Sequence, residues 1–360
     1  MVNKKFWATT FTLTGTIVGA GILGLPYIFA KSGFLIGLLW LLAIGTIMTF
    51  VNLTLGEITL RTKGRHQLTG YAEKYLGKWG KRLMLIAVIF GIYSALLAYL
   101  IGEGQSLSRL ISPNISPAIF GIVFWLILTL LLRQGLRGLK KIETWGVISV
   151  ITIVIGIFIR FAPQINPTNL TQISPTNFAT PIGIIMFALL GFVAIPELKQ
   201  EIKGQEHLLK KAIIFGSIIP IFLYAIFTLT FVGVLGNSIT EVATLSFGPI
   251  ITILGIFTMF TAYFALSYTL NDTFRQDFKT TKTTNFILTS IIPLVLYVLT
   301  EYFQIISFTS ILGIGGAISA GITGILILLI AKKAKLSINT PILITLSIFF
   351  IASIILELIK

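Results

Sequence analysis

The chain has 360 residues, of which 55% are hydrophobic and 11% charged, with a net charge of +15 and a mean hydropathy of +0.97. Soluble domains carry roughly 25% charged residues, so this composition excludes a soluble globular protein and describes one that crosses a bilayer many times. The apolar runs are continuous rather than alternating, which excludes a β-barrel, and with no cysteine neither thiol catalysis nor a disulfide enters.

A helix needs about 20 apolar residues to cross roughly 30 Å of hydrocarbon. Such runs recur at 8–30, 34–60, 83–108, 117–133, 143–161, 180–198, 209–236, 246–272, 284–300, 306–331 and 339–357, and predict eleven spans in an all-α polytopic membrane protein. The opening MVNKKFW followed by an apolar run mimics a signal peptide. No small-residue cleavage site follows it, so it is kept as span one.

Basic residues stay on the cytoplasmic side of short loops. Lys4 and Lys5, the cluster from Arg61 to Arg82, Arg133 to Lys141, Lys199 to Lys211, Arg275 to Lys282 and Lys332 to Lys335 fall in alternate connections. They place 23 of the 27 basic residues on one side, leaving Lys31, Arg109, Arg160 and Lys360 on the other. The N-terminus is expected inside and the C-terminus outside. Charges spread over six cytoplasmic segments also account for the +15 without a nucleic-acid partner, which would require one basic patch.

Span one contains GTIVGAGILGLP, residues 15 to 26, with four glycines and a proline in twelve positions. Glycine permits backbone that other residues avoid, and proline removes a donor and displaces the carbonyl four residues back. A helix unwound at bilayer depth leaves amides and carbonyls unpaired at several kcal/mol each, so it persists only where those groups meet a ligand or a polar cavity. The half-helix starting near Gly21 would aim its amides at a carboxylate, and the one ending between Gly15 and Val18 would offer carbonyls to a cation or an ammonium. Together these ends suit a zwitterionic amino acid. Competing readings are GTIVG as a GxxxG packing motif, a plain proline kink, and GAGILG as a dinucleotide fingerprint, which needs a preceding strand that a membrane helix does not supply.

After span two, HQLTGYAEKYLGKWGKR at 66 to 82 is amphipathic and reads as a helix lying on the inner membrane face. After span five, the uncharged polar stretch at 163 to 181 reads as an extracellular loop. Span six then carries FALLGFVAIPELKQE, residues 187 to 201, in which Gly191 and Pro196 repeat the spacing of Gly21 and Pro26. Two sets of five spans, each opening on a broken helix, are the pattern of an inverted repeat.

GTIVGAGILGLPYIFAKSGF at 15 to 34 resembles the amino acid/auxin permease group, and most of all the bacterial hydroxy/aromatic amino acid permeases of the amino acid, polyamine and organocation superfamily. GFVAIPELKQEIKG (191 to 204), AIIFGSIIPIFLY (212 to 224) and FTAYFALSYTLNDTF (260 to 274) follow in family-like order, so the resemblance runs from residue 8 to about 330. It implies a LeuT-type 5+5 inverted repeat with broken helices 1 and 6 plus an eleventh helix. The parts are a first repeat at 1–162, an extracellular loop at 163–179, a second repeat at 180–335 and an additional helix at 336–360. It also implies a secondary transporter of amino acids in the plasma membrane, driven by a proton or sodium gradient and needing no cofactor.

By the same resemblance, Thr16, Ile17, Val18, Gly19, Ala20 and Gly21 would contact substrate from span one, and Ala188, Leu189, Leu190 and Gly191 from span six. Phe187 and Phe192 stand where an aromatic gate closes over substrate, and core packing is the alternative for either. A sodium ion would sit among the carbonyls of Gly15 and Val18 and the hydroxyl of Thr261. Ala262 stands where a second hydroxyl is usual, and span five lacks the lysine that replaces sodium in some proton-coupled relatives. Glu57, Glu103 and Glu197 are candidate proton carriers because charge within the bilayer is costly, with structural or solvated roles as the alternative. Glu201 and Asp272 are expected at the cytoplasmic gate.

The pocket residues are small or apolar, with Leu189, Leu190, Phe192 and Tyr93 as walls, which suits a neutral and especially an aromatic side chain. A small neutral amino acid and a sensing role without net flux remain as alternatives. No HExxH, Ser/His pattern or paired Asp falls within the spans, so neither enzyme chemistry nor a metal site is expected. The predicted partners are a small-molecule amino acid and the lipid bilayer, and the sequence carries no signal of oligomeric state.

Overall fold

The computed structural model describes residues 4–133 and 139–360, excluding the side chains of 133–146, Asp272, Gln276 and Asp277. In chain order its helices are α1 (Lys4–Ile17), α2 (Gly21–Ser32), α3 (Phe34–Arg61), α4 (Leu68–Ile111), α5 (Pro117–Arg133), α6 (Leu139–Phe161) and α7 (Pro167–Thr171). They continue with α8 (Pro181–Ala188), α9 (Ile195–Glu201), α10 (Leu209–Leu235), α11 (Pro249–Asp277), α12 (Lys282–Phe286), α13 (Ile292–Phe303), α14 (Phe308–Lys333) and α15 (Thr340–Ile359). Among the described residues, nine helical stretches are long and apolar enough to span a membrane, and α1 with α2, bent by 56°, makes a tenth. The shorter apolar α5 occupies the remaining predicted span.

The departures from the predicted boundaries have local causes. The stretch at 66 to 82 forms a short helix from Leu68 that a kink at Gly77 sets apart from the third span. The φ of 74° and ψ of −165° at Gly77 turn the chain. Span nine is also interrupted. Pro293 has no amide to give the carbonyl four residues back, and the ladder widens into a π-turn over Ile287–Ile291. Side chains from neighbouring helices take the carbonyls there: Tyr93 Oη donates to Leu288 O and Trp125 Nε1 to Ser290 O, each at 2.8 Å.

The polar stretch between α6 and α8 folds back over the helix ends. Asn166 N donates to Gly233 O at 2.9 Å, Ser174 N to Ser32 O at 3.0 Å and Asn177 Nδ2 to Lys31 O at 3.2 Å. The most enclosed segments are α8 with α9, α14 and α4, while α15 lies against the outside of the bundle. Close approach is made by small residues. A Cβ on Gly316 would stand 2.5 Å from Phe187 N, and one on Gly315 2.5 Å from Ser94 Cβ, so α14 sits flush against both the broken sixth span and α4.

Candidate functional site: two helix breaks and the cavity between them

In span one the ladder stops with Val18 N donating to Thr14 O at 2.8 Å and resumes with Ile22 N to Gly19 O at 3.4 Å and Leu23 N to Ala20 O at 2.9 Å. Among the described residues, no backbone carbonyl accepts the amides of Gly19, Ala20 or Gly21. Three adjacent donors therefore stand at the positive end of α2, the Ala20 amide turned to the Tyr99 hydroxyl. Pro26 lies within α2, one turn beyond Ile22.

In span six the ladder ends with Leu189 N to Ile185 O at 3.0 Å and Leu190 N to Phe187 O at 3.1 Å, then restarts with Ala194 N to Gly191 O at 3.1 Å. Pro196 enters in the first turn of α9, where its missing amide costs nothing. The two breaks meet on one side chain of α10. Tyr224 Oη lies 2.8 Å from Ile17 O and 2.9 Å from Ala188 O, the last helical carbonyls of α1 and α8.

A cavity of about 100 Å³ opens beside the breaks, enough for several waters at the 10–15 Å³ that one occupies. Span one contributes Thr16, Ile17, Gly19 and Gly21, and span six contributes Phe187, Leu190, Phe192 and Val193. Helix α4 lines it from Leu68 to Tyr99, and Leu266, Ser319 and Thr323 close it from α11 and α14. No charged side chain is among these residues. Their polarity comes from the hydroxyls of Thr16, Tyr99, Ser319 and Thr323 and from the open backbone of the breaks.

Seven of the expected contact and gate residues thus share one cavity: Thr16, Ile17, Gly19, Gly21, Leu190, Phe187 and Phe192. Val18, Ala20, Ala188, Leu189 and Gly191 lie in the breaks without lining it. Tyr93 is committed to Leu288 O and is not a wall. The sequence reading did not single out Tyr99, Ser319 and Thr323, isolated polar residues in apolar helices without a local motif.

Gly15 lies in the last turn of α1, and Thr261 directs its hydroxyl to Phe257 O and Thr258 O of its own helix at 3.1 and 3.0 Å. Glu57 is half exposed at the end of α3 and pairs with Arg61 at 2.5 Å. Glu197 is half-buried on α9, and Glu201 Oε1 accepts from Thr12 Oγ1 at 3.2 Å. Glu103 is fully buried on α4, and the Asp272 side chain lies outside the described residues. Among the described residues, no three His, Asp or Glu gather as metal ligands.

The profile of the tryptophan/tyrosine permease family matches residues 2–260, well over half of the chain. The chain belongs to the tryptophan/tyrosine permease family. This permease is a multi-pass membrane protein, and its family is one of permeases rather than enzymes. It is 26% identical over 238 residues to tyrosine-specific transport system 1 of Haemophilus influenzae, covering 64% of this chain and 58% of that protein. It is 24% identical over 253 residues to glutamine transporter 2 of Aliivibrio fischeri, covering 68% and 65%. The permease thus spans less than two thirds of the length of these relatives. Among solved structures it is similar to MhsT in complex with L-phenylalanine, with a TM-score of 0.69 and 16% identity over 98% of this chain and 97% of that one. That likeness shows the LeuT-type fold.

Proposed function

We propose that this permease is a secondary active transporter of neutral amino acids, aromatic ones foremost, working by alternating access around the cavity at the two helix breaks. One observation carries the reading: a cavity without a charged side chain, placed against three backbone amides that no backbone carbonyl accepts. A zwitterion in such a place has its carboxylate met by the start of α2 and its ammonium by the carbonyl ends of α1 and α8. An acidic or basic side chain finds no partner there.

The names of the relatives support a neutral substrate, since one is a tyrosine-specific and another a glutamine transporter. The glutamine relative favours a second reading, in which a polar neutral amino acid hydrogen-bonds to Ser319 and Thr323. With the basic ends of the helices in the cytoplasm, the cavity, which runs to Leu68, faces inward, and Tyr99 marks its outer end. In this reading α1 to α6 and α8 to α14 form the two inverted repeats, and the plasma membrane supplies the proton or sodium gradient.

The test is uptake into proteoliposomes of a panel of labelled amino acids, with proton and sodium gradients imposed separately. Accumulation of tyrosine, phenylalanine or tryptophan supports the aromatic reading. Accumulation of glutamine or serine alone selects the second, and uptake restricted to aspartate or lysine contradicts both.

A further inference from the structure

Glu103 has no solvent exposure, and among the described residues no other Asp, Glu, Lys, Arg or His is buried. Neither of its carboxyl oxygens has a hydrogen-bond partner, and the hydroxyl of Ser106, one turn further along α4, is equally unpartnered. The glycines on either side explain the enclosure. A Cβ on Gly102 would stand 2.7 Å from Met259 Sδ and 3.0 Å from the Phe308 ring; one on Gly104 would stand 2.6 Å from Pro117 O and 2.8 Å from Tyr297 Oη. Helices α11 and α14 on one flank, and α5 and α13 on the other, thus press onto the α4 backbone at this level. Glu103 sits one turn beyond Tyr99, the outer end of the cavity, and eight residues, about 12 Å of helix, before Ile111.

Among the described residues, the surrounding helices offer no compensating cation at this level. Helix α5 carries no titratable residue from Pro117 to Leu132. Helix α11 presents Tyr263, its ring against Phe124, with Tyr268 and Arg275 further towards the basic face. Helix α13 presents Tyr297, which donates to Pro117 O, then Glu301 and Tyr302 near its end. Helix α14 has Lys332 and Lys333 only in its last turn, and on α4 itself Arg109 is exposed near the terminus. An ionised carboxylate so enclosed has neither solvent exposure nor, among the described residues, a counter-charge, a state that proteins avoid at membrane depth.

We propose that Glu103 is the proton-coupling residue: its carboxylate takes up one proton from the extracellular side, and only then does the outer half of the permease close over the helix breaks. The step is a protonation alone, carboxylate plus proton giving carboxylic acid. It rests on the transport reading above for the direction of closure. Glutamine at this position keeps the size of the side chain and removes its ionisation.

The experiment compares wild type, Glu103→Gln and Glu103→Asp as full chains in proteoliposomes, with tyrosine counterflow, accumulation driven by an imposed pH gradient, and infrared spectroscopy of the protonated-carboxyl C=O stretch. Wild-type influx falls about tenfold per pH unit once the external pH passes the titration midpoint of the carboxyl. E103Q is expected to retain counterflow, to lose pH-gradient-driven accumulation, to show a flat pH profile and to lack the infrared band. E103D is expected to keep accumulation with a displaced profile.

Accumulation by E103Q with the wild-type pH profile overturns the proposal. So does a wild-type spectrum without a band that E103Q removes, and this reading holds even for a variant that transports poorly. Absence of counterflow for every amino acid in wild type defeats the transport reading instead, and the infrared comparison still decides whether Glu103 carries a proton.

Discussion

A Cβ added to Gly21 would stand 2.5 Å from the Cα of Ala188, so the start of α2 lies directly on the end of α8. The reciprocal contact is softer: a Cβ on Gly191 would meet side-chain atoms of Ile17 and Leu13 at 2.9 and 3.0 Å. Backbone cannot turn aside, whereas aliphatic tips can. Gly21→Ala should therefore weaken substrate binding about tenfold or more, the scale of a 1–3 kcal/mol overpacking penalty, while Gly191→Ala stays within about threefold by the same arithmetic. Equilibrium binding of labelled substrate to purified protein separates the two. Equal tolerance of both variants would show that the breaks do not depend on this contact.

Tyr224 has one hydroxyl hydrogen and two carbonyls to serve, Ile17 O and Ala188 O. Tyr224→Phe leaves both buried acceptors without this donor, at a cost of about 1–3 kcal/mol. The expected outcome is a lower Tm together with reduced uptake. An unchanged Tm would mean that another group reaches the two carbonyls.

Tyr99 lines the cavity, and a Cβ on Gly19 would stand 3.2 Å from its hydroxyl, so that hydroxyl sits against the open turn of span one. Tyr99→Phe should raise the substrate Kd about tenfold, as for loss of a hydrogen bond to a charged group at 1.5–3 kcal/mol. Methyl esters of the substrate, which lack the carboxylate, should bind weakly to wild type and lose little further on this substitution. Competition binding measures both, and equal losses for acid and ester would remove Tyr99 from carboxylate recognition.

Gly77 has a φ of 74° and nothing within 4 Å of an added Cβ. Gly77→Ala therefore tests backbone conformation without a clash, and it should destabilise by about 1–3 kcal/mol. Thermal unfolding of the purified protein reads this directly. No loss of stability would mean that the bend before the third span is not fixed by the glycine.

The spans and both breaks were legible in the sequence because their causes are local: unbroken apolar runs, and glycine followed five residues later by proline at Gly21 and Pro26 and again at Gly191 and Pro196. What escaped depends on contacts between distant segments. Tyr99, Ser319 and Thr323 look like any polar residue in a long apolar helix until α4 and α14 close against the breaks. Tyr93 and Tyr99 lie six residues apart on one helix, yet the first is drawn to Leu288 O of the π-turn, 195 residues along the chain. Gly77 carries no local signal, being one of three glycines in the amphipathic stretch at 66 to 82, and only its positive φ marks the bend.

The most direct measurement is an experimental structure of the permease bound to the amino acid that it accumulates best. The account predicts density between the two breaks, with the carboxylate within hydrogen-bonding distance of the Gly19, Ala20 and Gly21 amides and the side chain among Phe187, Leu190 and Phe192. A ligand bound elsewhere, or α1 continuing unbroken into α2 in its presence, would contradict it.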